Sequence, residues 1–269
     1  MRDLGVGGLE VLSRRPDVRV HPRPLLFVHG AFGGAWCWEE HFLPGFAAQG
    51  FAAYALSLRG HGGSAGAEDL QSWSITDYVD DVAEVVAALP DSPVLIGHSM
   101  GGFVVQKYLE ARDAPAAVLM APVPPSGLLG PSASLAVWEP GLLWGVGKAQ
   151  TLGGPWASVE TMRRALLSDD VPHEVAAPYL ARMTGESMVA VMDMSGRDLV
   201  DVRLVGPVPL LVLGGREDRL IPPAYVRSAG RSYGVEAEIL PGLAHGMMLV
   251  PGWEAVAARI RDWLIGLAL

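Results

Sequence analysis

The stretch Gly97-His98-Ser99-Met100-Gly101-Gly102 constrains this chain more than any other. An apolar run, Val94 to Ile96, leads into it, and a segment of helical character leaves it at Phe103. A strand that becomes a helix over so few residues needs neighbours without bulk, because the residue at the apex is held in a strained backbone conformation. Ser99 occupies that apex, at the centre of a G-x-S-x-G pattern. The turn lifts its hydroxyl above the sheet, beside the positive end of the following helix.

The rest of the chain repeats the same strand-to-helix rhythm, which predicts parallel βαβ units. Strands are expected over 24–29, 51–57, 93–97, 116–121, 208–213 and 236–240. Helices are expected over 36–49, with Gly50 as its C-cap, over 75–89, ended by Pro90, over 100–112, and near the C-terminus from Trp253. In the helix over 75–89, Ile75, Val79, Val82, Val86 and Leu89 form the apolar face, and Asp77, Asp80, Asp81 and Glu84 are read as surface residues. Between 122 and 198 the rhythm breaks. That segment is rich in Pro and Gly, carries Trp138, Trp144 and Trp156, and holds five of the ten methionines. The expected fold class is therefore α/β, a mostly parallel central sheet flanked by helices. Residues 1–121 and 199–269 form the core, and 122–198 form an inserted helical cap.

Composition narrows the function classes. Half of the 269 residues are apolar and 18% are charged, so the chain can bury a sizeable core and is not disordered. Twenty Lys and Arg against 29 Asp and Glu leave a net charge of −9 with no basic cluster. Nucleic acid is not an expected partner, nor is an anionic membrane surface. No apolar run is long enough to span a bilayer, and the N-terminus lacks the apolar core of a secretory signal. The one cysteine, Cys37, allows no internal disulfide. The expected location is cytoplasmic. The histidine spacings match no metal motif, and no glycine cluster continues into a phosphate loop, so no cofactor is expected.

A serine hydroxyl is a weak nucleophile, and needs a base that is itself oriented by a carboxylate. Behind an elbow of this kind, the acid and then the histidine follow the serine along the chain. Two histidines lie beyond Ser99. His173 falls in the cap segment and reads as an exposed helix residue. His245, in Gly242-Leu243-Ala244-His245-Gly246 after a strand, is the better base. The strand over 208–213 leads into Gly214-Gly215-Arg216-Glu217-Asp218, and Asp218 is preferred over Glu217 as the acid. Met100, next after the nucleophile, supplies one backbone N–H for a developing oxyanion. His98 reads as a packed histidine, His61 and Arg59 as turn stabilisers, His29 as a support for its loop, and Cys37 as a small buried hydrophobe.

These residues, in this order, resemble the α/β-hydrolase fold superfamily over nearly the whole chain. His29-Gly30 matches the loop after the family's third strand, Arg59-Gly60-His61-Gly62-Gly63-Ser64 the turn after its fourth, and Asp218 and Ala244-His245 its acid and base. The segment from His29 to Trp36 is similar to the corresponding loop of plant methylesterases and hydroxynitrile lyases. The resemblance implies that Ala31 donates the second oxyanion N–H and that Phe32 lines the acyl pocket. In the lyases a lysine follows the catalytic histidine; Gly246 stands there in this chain, on the esterase side. Trp138 and Trp144 are expected in the wall of the substrate pocket, since a cap forms its ceiling. The implied activity is hydrolysis of a small to medium, largely apolar carboxylic ester through an acyl-enzyme on Ser99, without a cofactor. The same triad also serves carbon–carbon bond hydrolases, acyltransferases and perhydrolases, and the fold includes catalytically silent receptors.

Overall fold

Four consecutive apolar residues buried on both faces of the chain mark a strand that can only sit inside a sheet covered on both sides. Leu25–Val28 (β2) is such a run, as are Ala53–Leu56 (β3) and Ala117–Met120 (β5), with every residue buried. The computed structural model describes residues 6–152, 159–167, 171–267 and 269. Among these, β2, β3 and β5 join Val11–Arg14 (β1), Val94–His98 (β4), Leu210–Gly215 (β6) and Glu238–Leu240 (β7) in one sheet of order β1-β3-β2-β4-β5-β6-β7. Only β1 runs antiparallel, against β3; all other described pairings are parallel.

Alternate residues of the central strands feed two cores. Leu26, Val28 and Leu95 pack with Ile75–Ala88 (α3) and Met100–Leu109 (α4), and Pro223–Ser232 (α10) adds Val226 to the same core. Leu25, Phe27 and Ile96 face the other way, onto Trp36–Glu39 (α1), Phe42–Ala48 (α2) and Trp253–Gly266 (α11). The chain runs outward from β2 to β3, then returns to place β4 on the other flank of β2. The loops leaving the carboxyl ends of β2 and β4 diverge at that reversal, where an open α/β sheet offers a crevice. His29-Gly30 leaves β2 there, and Ser99 leaves β4. These are the second and fourth strands of this chain, so the loop expected after a third strand follows the second here.

The six strands expected from the sequence are present, with ends shifted by no more than two residues. β1 was not anticipated. It is four residues long and followed by Arg15-Pro16, and it is recruited to the edge by β3 rather than by a strong apolar signal of its own. The helix expected over 36–49 is two helices. Pro44 cannot continue a helix from Trp36, because its ring meets the carbonyl of Glu40, so the chain breaks at Glu40-His41 and restarts. Gly50, at φ 88°, closes the second helix as expected. Asp81 is not a surface residue. It is 1% exposed, and it accepts from the Arg59 backbone N–H and Nε, both at 2.8 Å. The α3 periodicity could not reveal a partner cation that comes from the turn after β3.

Between β5 and β6 the described residues form helices and no strand: Leu129–Trp138 (α5), Pro140–Leu152 (α6), Val159–Leu166 (α7), His173–Leu180 (α8) and Met188–Met192 (α9). Trp156 lies outside the described residues. No helix of the described residues is long and apolar enough to cross a membrane.

Candidate active site

The elbow is built by steric demand. A β-carbon on Gly97 would lie 2.4 Å from the Gly101 carbonyl, and one on Gly101 would lie 2.4 Å from the carbonyls of Val28 and His29. Only glycines let α4 pack this closely on β2 and β4. Ser99 takes φ 53°, ψ −116°, a conformation that L-residues rarely adopt. Three backbone hydrogen bonds hold it there. Its N–H donates to the Met120 carbonyl (3.0 Å), and its carbonyl accepts from Val123 (3.1 Å) and Phe103 (3.2 Å).

Ser99, His245 and Asp218 come together although 146 residues separate the first pair and 27 the second. Ser99 Oγ donates to His245 Nε2 at 2.9 Å, and His245 Nδ1–H donates to Asp218 Oδ2 at 2.8 Å. All three residues are buried. The second carboxylate oxygen of Asp218 accepts from the Leu220 and Ile221 N–H groups, each at 2.9 Å. Glu217, the other acid considered, is exposed and takes no part. His173 is likewise exposed, at the start of α8.

His98 holds the backbone of His245. Its Nε2–H donates to the His245 carbonyl at 2.8 Å, and burial, with His245 nearby, keeps its pKa well below the ordinary value. His29 supports the neighbouring loop as expected. Its Nε2 accepts from the Leu58 N–H (3.0 Å), which leaves Nδ1–H to donate to the Gly30 carbonyl (2.8 Å). Burial, reinforced by His61, lowers the His29 pKa to about 3, so the ring is neutral at ordinary pH. The Gly30 carbonyl also accepts from the Gly33 N–H at 3.2 Å. Gly30 C=O and Ala31 N–H belong to one rigid peptide unit, so holding the carbonyl aims the N–H. Neither Ala31 N–H nor Met100 N–H has a hydrogen-bond acceptor among the described residues.

Ala31, Phe32, Ser99, Met100 and His245 line one cavity of about 180 Å³. The helices between β5 and β6 complete its wall with Leu135, Leu143, Val146 and Met194, a mainly apolar surface. Trp138 and Trp144 do not belong to that wall. They are 80% and 69% exposed, on the outer side of α5 and α6. In α6, Leu142, Val146 and Ala149 recur at helical spacing toward the interior, which turns Trp144 outward; Trp138 is the last residue of α5. The five methionines of this segment divide as well. Met162 is buried, Met183 is half-buried, Met194 meets the cavity, and Met188 and Met192 are exposed. Cys37 is buried, and burial pushes its thiol pKa up to about 12, consistent with a packing role.

Sequence reasoning missed Glu186. It is fully buried between the loop after β2 and the turn after β3, and it accepts four hydrogen bonds, from Tyr78 Oη–H (2.9 Å), the Ser187 N–H (2.7 Å), His61 Nε2–H (3.2 Å) and the Phe32 N–H (3.4 Å). His61 also donates from Nδ1 to the Arg59 carbonyl at 3.0 Å. Acceptors at both ring nitrogens favour the protonated ring of His61. Burial alone lowers its pKa, but the Glu186 carboxylate outweighs it and the net shift is upward; Glu186 shifts downward for the reciprocal reason. Glu186 lies in Thr184-Gly185-Glu186-Ser187, which has neither periodicity nor a motif, so nothing local marks it. Among the described residues no cluster of His, Cys, Asp and Glu could hold a metal ion.

The sequence matches the model of the alpha/beta hydrolase family over residues 25–259. A curated relative, a monoacylglycerol lipase of Mycolicibacterium smegmatis, is 26% identical over 97% of this chain and 95% of its own length. Among solved structures, an esterase from Exiguobacterium antarcticum superposes with a TM-score of 0.75 at 18% identity, covering 95% of this chain and 94% of that one. An enol-lactonase from Burkholderia xenovorans gives 0.74 at 19%, covering 97% and 98%. At those identities the two structures speak for the fold.

Proposed function

The chain belongs to the alpha/beta hydrolase family, and from that footing we propose that it hydrolyses small to medium, largely apolar carboxylic esters through an acyl-enzyme on Ser99. One observation carries the reading: the continuous relay from Ser99 Oγ through His245 to Asp218, with both links under 3 Å, opening on an apolar cavity. The full-length similarity to a monoacylglycerol lipase supports the ester class.

Ser99 Oγ attacks the ester carbonyl carbon as His245 Nε2 takes its proton. Asp218 holds the Nδ1–H tautomer and stabilises the imidazolium. The carbonyl oxygen, now negative, accepts from the Ala31 and Met100 N–H groups, and the start of α4 adds its positive end. His245 returns the proton to the leaving alkoxide, and the alcohol departs. Water then enters and adds to the acyl carbonyl carbon as His245 takes its proton; the bond to Ser99 Oγ breaks, His245 returns the proton to Oγ, and the acid is released.

The size and apolar lining of the cavity support a preference among acyl groups. Hydrolysis of p-nitrophenyl esters from acetate to palmitate is expected to peak at short to medium acyl groups. A chain that outgrows the apolar wall should lose about tenfold or more in kcat/KM. Cleavage of a β-diketone, with every ester of the series untouched, would contradict the proposal and favour carbon–carbon bond hydrolysis.

A further inference from the structure

We infer that Glu186 is a positioning residue for the oxyanion loop, a buried carboxylate supplied by the segment between β5 and β6 that holds Phe32 so that Ala31 N–H points at the reacting carbonyl. The inference rests on the ester-hydrolase reading and adds to it a residue outside the triad and the two donors.

Phe32 lies in the left-handed region at φ 67°, which a bulky L-residue holds only when its surroundings impose it. The same short segment grips it on both sides. The Phe32 carbonyl accepts from the Thr184 N–H at 3.0 Å, and its N–H donates to Glu186 Oε2 at 3.4 Å. On the other side of Ala31, the Gly30 carbonyl is held by His29 and Gly33. Ala31 thus stands between two clamps, one from the sheet and one from the helical insertion. Release of the Phe32 clamp frees the dihedrals on which the Ala31 N–H direction depends.

The clamp is itself anchored. The Glu186 carbonyl accepts from Gln71 Nε2 at 3.1 Å, and Ser187 Oγ–H donates to the Trp73 carbonyl at 2.5 Å, which tie the segment to the stretch before α3. Both carboxylate oxygens of Glu186 face only donors: Tyr78 and Ser187 at one, His61 and Phe32 at the other. A carboxylate satisfies all four. An amide cannot, because either orientation turns its NH₂ against a backbone N–H, of Ser187 or of Phe32.

The test is Glu186→Gln, assayed on the best ester and titrated with a matching trifluoromethyl ketone, which forms a tetrahedral adduct on the nucleophile. The expected result is a fall in kcat of about tenfold to a hundredfold, less than loss of a whole oxyanion donor, with KM within about twofold of wild type. The ketone Ki should rise by the same factor as kcat/KM falls, since both report stabilisation of the oxyanion. A role confined to folding would lower the melting temperature without that parallel. Should Glu186→Gln not fold, Tyr78→Phe removes one donor to Glu186 at nearly constant shape. It should give a smaller fall in kcat of about threefold, with the same pattern in Ki. A folded variant with wild-type ketone affinity, or with its loss in KM alone, overturns the inference while wild-type activity keeps the ester reading intact. An inactive wild-type protein would instead defeat that reading.

Discussion

Ser99→Ala should lower kcat for a p-nitrophenyl ester by about 10⁶, His245→Ala by a comparable factor, and the double variant by no more than either alone. The non-additivity is the informative part. Ser99 Oγ and His245 Nε2 are 2.9 Å apart, and in the proposed mechanism they act as one device for making an alkoxide-like nucleophile, half of which does nothing. The Ala31 and Met100 N–H groups remain in both variants. They should sustain a residual rate about 10³ above that of water, by orienting the ester and stabilising the oxyanion. Stopped assays of purified single and double variants, with melting temperatures as the folding control, check this. Ser99→Ala retaining more than a small fraction of wild-type kcat would remove Ser99 from the mechanism.

Asp218→Asn should cost about 10⁴ in kcat with little change in KM or in stability. The surroundings of Asp218 set the direction of the failure. Oδ1 accepts from the Leu220 and Ile221 N–H groups, so an asparagine must turn its carbonyl oxygen to those donors. Its NH₂ then faces His245 Nδ1, where the carboxylate oxygen stood. The imidazole can accept that hydrogen bond only by moving its own proton to Nε2, the atom that must take the proton from Ser99. The variant keeps its shape and holds the wrong tautomer. Steady-state kinetics at several pH values measure the loss. A fall of less than tenfold would mean that Asp218 does not control the His245 tautomer.

The fold and the meeting of Ser99, His245 and Asp218 were legible for physical reasons that operate locally. Short apolar runs bounded by turn residues, such as Leu25–Val28, fit buried strands, and the glycines at 97 and 101 carry a packing demand visible in the pattern itself. Asp218 and His245 each follow a strand, so the topology delivers them to the same end of the sheet as Ser99. What remained hidden depends on partners distant in sequence. Glu186 finds its partners in His61, Tyr78 and Phe32, all more than a hundred residues away, and Asp81 in a cation from another loop. Trp138 and Trp144 misled for the opposite reason. Their chemistry suits an apolar wall, but the faces of α5 and α6 are chosen by Leu135, Leu142 and Val146, and both helices are apolar nearly all round.

Covalent capture of the nucleophile tests the central claim most directly. The folded protein is treated with a fluorophosphonate, its intact mass is taken, and the adduct is located by peptide mapping. One adduct, on Ser99, absent from Ser99→Ala and formed far more slowly in His245→Ala, is the result that the relay of Ser99, His245 and Asp218 predicts. A folded protein that acquires no adduct, or carries it on another side chain, would contradict it.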